Sequence, residues 1–98
     1  MEFLEPWFED RDPELAKELH KETCSGHVLH RVLVSAVARR QDCDDVLFSI
    51  DDGSGRMAVV HLTYARETSP DWPTVRLFAN WHSWLESMKS DHVEFSGG

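Results

Sequence analysis

One short turn constrains the fold of this chain more than any other segment. Asp51-Asp52-Gly53-Ser54-Gly55 separates two segments with the apolar patterns of β-strands, and such a turn is a strong signal for a β-hairpin. The segment before the turn places Val46, Phe48 and Ile50 on one face. The segment after it, 56–64, is apolar at nearly every position, as in a strand inside a sheet. The turn therefore predicts an antiparallel sheet.

The length of the hairpin loop decides which face of the second strand joins the core. The best apolar face of that strand consists of Ala58, Val60, Leu62 and Tyr64. It lies on the same side as Phe48 only if the loop has an odd number of residues, because a shift of one residue reverses the face. We expect the odd loop, with Gly55 at a positive φ in a bulge. His61 then points away from the core, and an inward His61 would contradict this prediction.

One helix is predicted before the strands in the sequence and one after them. Asp12 and Pro13 suit the cap and first turn of a helix that ends near Thr23, before Gly26. Asn80 is expected to cap a second helix over residues 81–90. The apolar face of that helix consists of Trp81, Trp84, Leu85 and Met88. At the start of the chain, the helical spacing of the apolar residues in 2–9 predicts one short helical turn.

Together these elements predict an α+β fold. It has an antiparallel meander sheet of three or four strands, with an N-terminal helix and a C-terminal helix packed on it. The strands are expected at 28–40, 46–51, 56–64 and 74–79. With 98 residues, the chain is predicted to be one domain, 1–98. Its parts are a helical N-terminal segment 1–26, a β-meander 27–79, a helix 80–90 and a tail 91–98, whose last residues, 95–98, are expected to fray.

Charge and hydropathy exclude several classes of partner. The formal net charge is −8 and no stripe of Lys or Arg runs along the chain, which argues against nucleic acid and anionic membranes as partners. No apolar run is long enough for a transmembrane helix, and the first residues lack the features of a signal peptide. With two cysteines, Cys24 and Cys43, the sequence predicts a cytoplasmic protein with free thiols.

Cys24, His27 and His30 are the first candidate metal ligands. Their spacing, Cys-x2-His-x2-His, uses residue types that bind zinc. The segment crosses from a helix end into a predicted strand, where three side chains do not obviously converge, and no fourth ligand follows at a matching spacing. We therefore interpret these histidines as scattered surface residues and predict no metal site and no cofactor, with a zinc site as the open alternative.

Clustered aspartates form a second candidate cation site. Asp42, Asp44 and Asp45 lie in one predicted turn and Asp51 and Asp52 in another, and carboxylates bind Ca²⁺ or Mg²⁺. The ligand order of an EF-hand is missing, and turn chemistry alone explains the second group. Solvated turn residues are therefore the preferred interpretation.

Cys43 is a poor candidate nucleophile, because neighbouring aspartates raise the pKa of a thiol. A site that pairs Cys43 with a histidine stays open. The chain has no phosphate-binding glycine loop and no hydrolase or metalloprotease motif. No catalytic residue is predicted.

The meander itself predicts a recognition surface. In an up-and-down sheet, the first and third connections emerge at the same end. That end is expected to carry Asp42, Asp44 and Asp45 from one loop and Trp72 from the other. Trp72 lies between Pro70 and Pro73, where it serves either as a binding anchor or as a cover for the sheet edge.

Two stretches carry a resemblance to other proteins. They are the segment from Ala38 to Phe48 and the segment from Val59 to Tyr64, followed by the pair Trp72-Pro73. Over about residues 27–85, the chain resembles an uncharacterised family of short acidic bacterial proteins. The resemblance implies a bacterial source and no particular activity.

Two functions from different classes remain. The first is a non-catalytic protein-binding module, of inhibitor or immunity type, which meets a basic partner protein through an acidic surface. The alternative is a small ligand-binding or enzymatic domain with a pocket between sheet and helices, in which His61, Tyr64 or Cys43 takes part. The oligomeric state is not determined by the sequence.

Overall fold

The sheet has five strands in sequence order. The computed structural model describes residues 3–97, and within them one antiparallel sheet has the order β1-β2-β3-β4-β5. The strands are β1 (Trp7–Glu9), β2 (Val34–Arg40), β3 (Asp45–Ile50), β4 (Met57–His61) and β5 (Val75–Phe78). The helices are α1 (Pro13–Glu22) and α2 (Trp81–Gly97). The predicted α+β class and the antiparallel meander are confirmed, whereas the count of three or four strands is wrong.

The additional strand, β1, lies where a helical turn was predicted. Trp7 pairs with Arg40 and Glu9 with Ala38, and the Gln41 N–H donates to the Pro6 carbonyl at 2.9 Å. The unpaired backbone groups at the edge of β2 draw this segment into the sheet. Trp7 is therefore buried and Phe8 exposed, as two-residue periodicity requires. Met1, Glu2 and Gly98, parts of the predicted turn and tail, lie outside the described residues.

Strand β2 begins later than predicted. Residues 24–33 form turns, and the regular strand starts at Val34. Within these turns Leu29 is buried in the core while Arg31 has a positive φ of 60°. Such a backbone cannot continue a strand. The predicted strand 28–40 is thus shortened at its start, and the segment before it packs against the sheet instead.

The hairpin between β3 and β4 has the predicted odd loop. Ser49 pairs with Met57, and the Ile50 N–H donates to the Arg56 carbonyl at 3.0 Å, which leaves residues 51–55 as the loop. Gly55 has a φ of 78°, and His61 is exposed. The face prediction is confirmed except for Tyr64, which lies beyond the end of β4 and is exposed.

Both faces of the sheet are covered. On one face, Leu15 and Leu19 of α1 join the cluster formed with Leu29, Val34, Ala36, Val46, Phe48, Ile50, Ala58, Val60 and Leu62. On the other face, Trp84 and Met88 of α2 join Trp7, Val37, Ala38, Leu47, Met57 and Val59. Coverage on both sides explains why β4 is apolar at nearly every position.

Helix α2 is longer than predicted. It continues from Trp81 to Gly97, so the part of the predicted tail that the structure describes is helical. Trp7 Nε1 donates to Asp91 Oδ2 at 3.0 Å, and His92 Nδ1 donates to the Glu5 carbonyl at 2.7 Å. These contacts to the N-terminal segment stabilise the helix beyond residue 90, where the prediction ended it. Its start agrees with the prediction, since Asn80 Oδ1 accepts the Ser83 N–H at 2.9 Å.

Helix α1 has the predicted ends. Asp12 Oδ1 accepts the Glu14 N–H at 3.0 Å, Pro13 occupies the first turn, and Thr23 is the C-terminal cap. Leu15 and Leu19, four positions apart, form an apolar stripe on this helix, and both are buried.

Candidate functional site

The candidate site lies at the end of the sheet where the β2–β3 turn and the β4–β5 loop emerge. We call residues 42–45 the acidic turn. The Leu62 N–H donates to the Asp44 carbonyl at 3.1 Å, so the start of the long loop is attached to this turn. Asp45 and His61 are partners in the ladder between β3 and β4. The meander thus brings the two connections to one end of the sheet.

Asp42 is neutralised within its own turn. Arg40 Nε donates to Asp42 Oδ1 at 2.8 Å, and Arg40 Nη2 donates to Oδ2 at 2.8 Å. These hydrogen bonds hold the pKa of Asp42 below its usual range. Arg40 Nη1 also lies 3.7 Å from Asp91 of α2. The Asp42 carboxylate is therefore fixed in orientation and carries little uncompensated charge.

Asp44 and Asp45 differ in their surroundings. Asp45 is the first residue of β3, its Oδ1 lies 2.7 Å from His61 Nδ1, and its Oδ2 lies 4.0 Å from Arg76 Nη2. Asp44 is exposed, and among residues 3–97 its carboxylate has neither a hydrogen-bond partner nor an ion pair. Asp44 is the member of the acidic turn whose charge is fully available to a partner.

Cys43 lies between these two aspartates. Its Sγ, an Asp45 carboxylate oxygen and a His61 ring nitrogen all lie within 4.8 Å of one another. Partial burial of the thiol raises the pKa of Cys43, and Asp45 and Asp42 add to the effect. The predicted direction is correct, although burial is the larger cause. A protonated thiol is a weak nucleophile, so the trio is better suited to ligation than to covalent catalysis.

Phe8 is a site residue that the sequence analysis missed. Its side chain is 41% exposed, and it borders a depression of about 450 Å³ together with Arg39, Asp42 and Asp44. A helical interpretation of residues 2–9 assigned Phe8 to the core. Proline is tolerated next to an edge strand, so Pro6 is compatible with β1, although no local pattern indicates that strand.

Trp72 lies in the loop at the same end of the sheet and is 48% exposed. The loop bends toward the face covered by α1, because His27 Nε2 donates to the Pro73 carbonyl at 2.8 Å. Pro70 also lies against Gly26, where an added Cβ would be 3.4 Å from the Pro70 Cβ. Phe8, rather than Trp72, shares a depression with the acidic turn.

Cys24, His27 and His30 do not form a metal-binding group within the part of the chain that the structure describes. His27 is buried, and its Nδ1 accepts the Leu29 N–H at 3.0 Å while Nε2 donates to Pro73. Both ring nitrogens are therefore used to hold the backbone. His30 Nδ1 is a buried atom that has no partner within the described chain.

Asp51 and Asp52, the aspartates of the hairpin loop, accept hydrogen bonds in and beside the loop, in agreement with the predicted turn chemistry. Asp52 accepts the Ser54 N–H at 2.9 Å and a hydrogen bond from Arg56 Nη2 at 3.0 Å. Hydrogen bonds from the Ser54 hydroxyl, from the Ser54 N–H and from Arg56 lower the pKa of Asp52 to about 2. Asp51 accepts hydrogen bonds from the hydroxyls of Ser35 and Ser49.

Glu22, a buried carboxylate, holds the start of the β4–β5 loop. Its side chain accepts the Thr63 N–H at 2.7 Å and the Tyr64 N–H at 2.8 Å, and the residue is 1% exposed. Burial, together with a hydrogen bond that protonated Glu22 donates to Glu18, raises the pKa of Glu22. The sequence contained a signal for this position, because Glu22 continues the Leu15 and Leu19 stripe at helical spacing.

Beside this anchor lies a cavity of about 480 Å³, between the end of α1 and the loop. Its lining includes one carboxylate, Glu18, and the side chains of His20, Lys21, His30, Tyr64 and Arg66. Basic and imidazole side chains are concentrated here in a chain whose net charge is −8. Tyr64, a candidate in the alternative function, lines this cavity, while Cys43 and His61 lie with the acidic turn.

Comparisons with protein-family models, with curated proteins and with solved structures found no match to this chain. The resemblance to short acidic bacterial proteins stays a prediction. Within residues 3–97, neither helix has the length and hydropathy needed to span a bilayer.

Proposed function

We propose that this chain is a non-catalytic protein-binding module, of inhibitor or immunity type, that meets a basic surface of its partner through the acidic turn. The observation that carries the proposal is the depression where exposed Phe8 lies beside the acidic turn. Arg39 and Arg40 also line it, and because Arg40 pairs with Asp42, its available negative charge comes from Asp44. An aromatic anchor with charges around it has the composition of an energetically important protein interface.

Charge supports the choice of a basic partner. The chain has a net charge of −8, and Asp44 is exposed without a partner among the described residues. Complementary charge speeds association and excludes acidic partners. Trp72, exposed at the same end, would widen the contact toward the area that a stable complex requires, about 800 Å² on each partner.

The proposal includes a cytoplasmic location. Cys24 and Cys43 are both free, and a reducing compartment maintains thiols in this state. A protein partner is preferred to nucleic acid or a membrane, because the charge of the chain would repel both of those polyanionic surfaces.

Binding to the partner should be weakened by changes in this depression. Once affinity capture from the native cell has identified a basic partner, Phe8→Ala is expected to weaken binding about tenfold, since an anchor side chain contributes about 1–2 kcal/mol or more. Asp44→Lys is expected to slow association and to make it less sensitive to salt, because the chain keeps a net negative charge. Titration calorimetry and association kinetics at two salt concentrations measure these effects.

Two control variants match these changes. Phe95→Ala removes an aromatic side chain with the same 41% exposure from the end of α2, and Glu94→Lys reverses a charge there. If the Phe8 and Asp44 variants bind the partner as tightly as these controls, the proposed surface is wrong.

The cavity at the end of α1 favours a second candidate, a binding domain for small anionic ligands. Its volume of about 480 Å³ is in the range of ligand sites, and Lys21 and Arg66 offer charge-assisted hydrogen bonds. Lys21 already lies 3.5 Å from Glu18, so Arg66 is the freer cation.

This second candidate predicts stabilisation by small anions. Phosphate or citrate at a hundredfold excess over Kd should raise the Tm of the wild-type protein by several degrees. Arg66→Glu should remove the shift, whereas Arg56→Glu, on the hairpin, should retain it. A shift that is absent, or equal in both variants, would exclude the cavity as an anion site.

A further inference from the structure

We propose that Cys43, Asp45 and His61 bind a zinc ion at the end of the sheet. The three side chains offer a sulfur, an oxygen and a nitrogen, and these ligand atoms lie within 4.8 Å of one another. They are the donor types that zinc takes in proteins. The site differs from the partner surface proposed above, because it needs no second protein.

The backbone holds these residues together. Asp45 and His61 are directly opposite each other in the antiparallel ladder of β3 and β4, so their side chains project from the same face. Cys43 precedes Asp45 by two positions, and the Leu62 N–H bond to the Asp44 carbonyl fixes the turn between them. A site on paired strands is kept close to its bound geometry before the ion arrives.

Only small movements are needed to close the site. Two ligands on a tetrahedral zinc are about 3.3–3.7 Å apart, given bond lengths of about 2.0–2.3 Å. Asp45 Oδ1 and His61 Nδ1 lie 2.7 Å apart in a hydrogen bond, so they need to separate by about 0.6–1 Å and exchange that bond for bonds to zinc. Cys43 and His61 are exposed, so rotation about their side-chain bonds can bring the sulfur closer by about 1 Å.

Charge and ligand softness favour zinc over Ca²⁺ or Mg²⁺. A thiolate, a carboxylate and a neutral imidazole together balance the two charges of Zn²⁺, with the thiol proton released to solvent. The complex is then neutral beside Arg40 and Arg76, whose guanidinium groups would oppose a net cation. Calcium and magnesium select oxygen ligands and do not favour a thiolate.

Three protein ligands leave one coordination position for water. Asp45 and His61 border a depression of about 230 Å³ that also contains Thr74 and Arg76, with room for that water. Three protein ligands and one bound water are typical of zinc sites in which the metal is accessible to solvent. Structural zinc sites have four protein ligands.

The test is a metal titration of the full chain after treatment with a chelator. Zinc is expected to bind with one equivalent, and cobalt should give the near-ultraviolet charge-transfer band of a thiolate ligand. Cys43→Ser should abolish the band, and Asp45→Asn and His61→Ala should each weaken zinc binding at least tenfold. Zinc should also raise the Tm of the wild type but not of these variants.

Two further variants serve as controls. Cys24→Ser removes the other free thiol, and His82→Ala removes a histidine whose side chain is 83% exposed on α2. Both should bind zinc and cobalt as the wild type does. Three results would each overturn the proposal: absence of zinc binding by the wild type, a cobalt band that is lost with Cys24, or wild-type affinity for zinc in the Cys43 or His61 variant. Because the ligands lie at the surface, circular dichroism of all variants should match the wild type.

Discussion

Replacing Phe48 by alanine is expected to lower the free energy of unfolding by about 3–5 kcal/mol. Phe48 is fully buried, with 0% exposure, on β3, the middle strand of the sheet. It packs in the cluster that joins α1 to the sheet. Alanine would leave a cavity that strands paired on both sides cannot easily fill. Urea denaturation, followed by tryptophan fluorescence and circular dichroism, measures the change.

Phe95→Ala is the matched control for this measurement. The same side chain is removed from an exposed position of α2, where substitutions usually change stability by about 0.5 kcal/mol or less. A Phe48→Ala variant that differs from this control by less than about 1 kcal/mol would contradict the core arrangement described here.

Replacing Glu22 by alanine is expected to lower the free energy of unfolding by about 1–3 kcal/mol. The change removes the acceptors for the Thr63 and Tyr64 N–H groups and loosens the start of the β4–β5 loop. Amide hydrogen exchange should show faster exchange at these two positions than in the wild type. Unchanged exchange would mean that the carboxylate does not hold the loop.

Glu22 also contributes a pH dependence whose sign follows from its raised pKa. In the folded state it binds its proton more tightly than in the unfolded chain, where the ordinary value is 4.5. The contribution to stability is therefore complete below pH 4.5, and it is lost as the pH rises through the folded-state pKa. Glu22→Gln does not titrate and should lack this decline.

The measurement compares wild type and Glu22→Gln in urea from pH 4 upward. Relative to the variant, the wild type should lose stability as the pH rises above 4.5. Glu94→Gln, which changes an exposed carboxyl group on α2, controls for the loss of one acid. A wild-type curve that rises relative to Glu22→Gln over this range would contradict the buried, raised-pKa carboxyl group.

The proposed surface and the proposed zinc site share Asp45 but make different demands on it. Zinc binding needs the Asp45 carboxylate beside His61, whereas a basic partner is met chiefly by Asp44, the exposed aspartate of the turn. Asp44→Lys therefore tests the partner surface while the three proposed zinc ligands stay in place. Cys43→Ser tests the zinc site without changing charge in the turn.

The structure brings together only part of the site that the sequence predicted. The acidic turn and the start of the β4–β5 loop do meet, because alternating connections of a meander emerge at one end. Phe8 was not predicted at the site. Cys43, Asp45 and His61 were each named, with a pairing of Cys43 and a histidine left open, but their convergence as a group of three was not predicted. Ligand spacing along the chain could not indicate the trio, since His61 lies 16 positions after Asp45 and reaches it only through the strand register.

The sequence by itself determined the features that depend on neighbouring residues. The caps at Asp12 and Asn80 involve backbone groups only two and three positions away. The odd loop at residues 51–55 follows from Gly55 and from the alternation of the flanking strands. Local geometry and side-chain alternation are sufficient in each case, which is why these predictions were correct.

Only the tertiary structure decided the features that depend on distant partners. Strand β1 forms because the edge of β2 offers unpaired backbone groups, not because residues 7–9 prefer a strand. Helix α2 reaches Gly97 because Asp91 and His92 bind the N-terminal segment. Such contacts join residues more than eighty positions apart, so no local pattern could reveal them, and they determine which side chains surround the acidic turn.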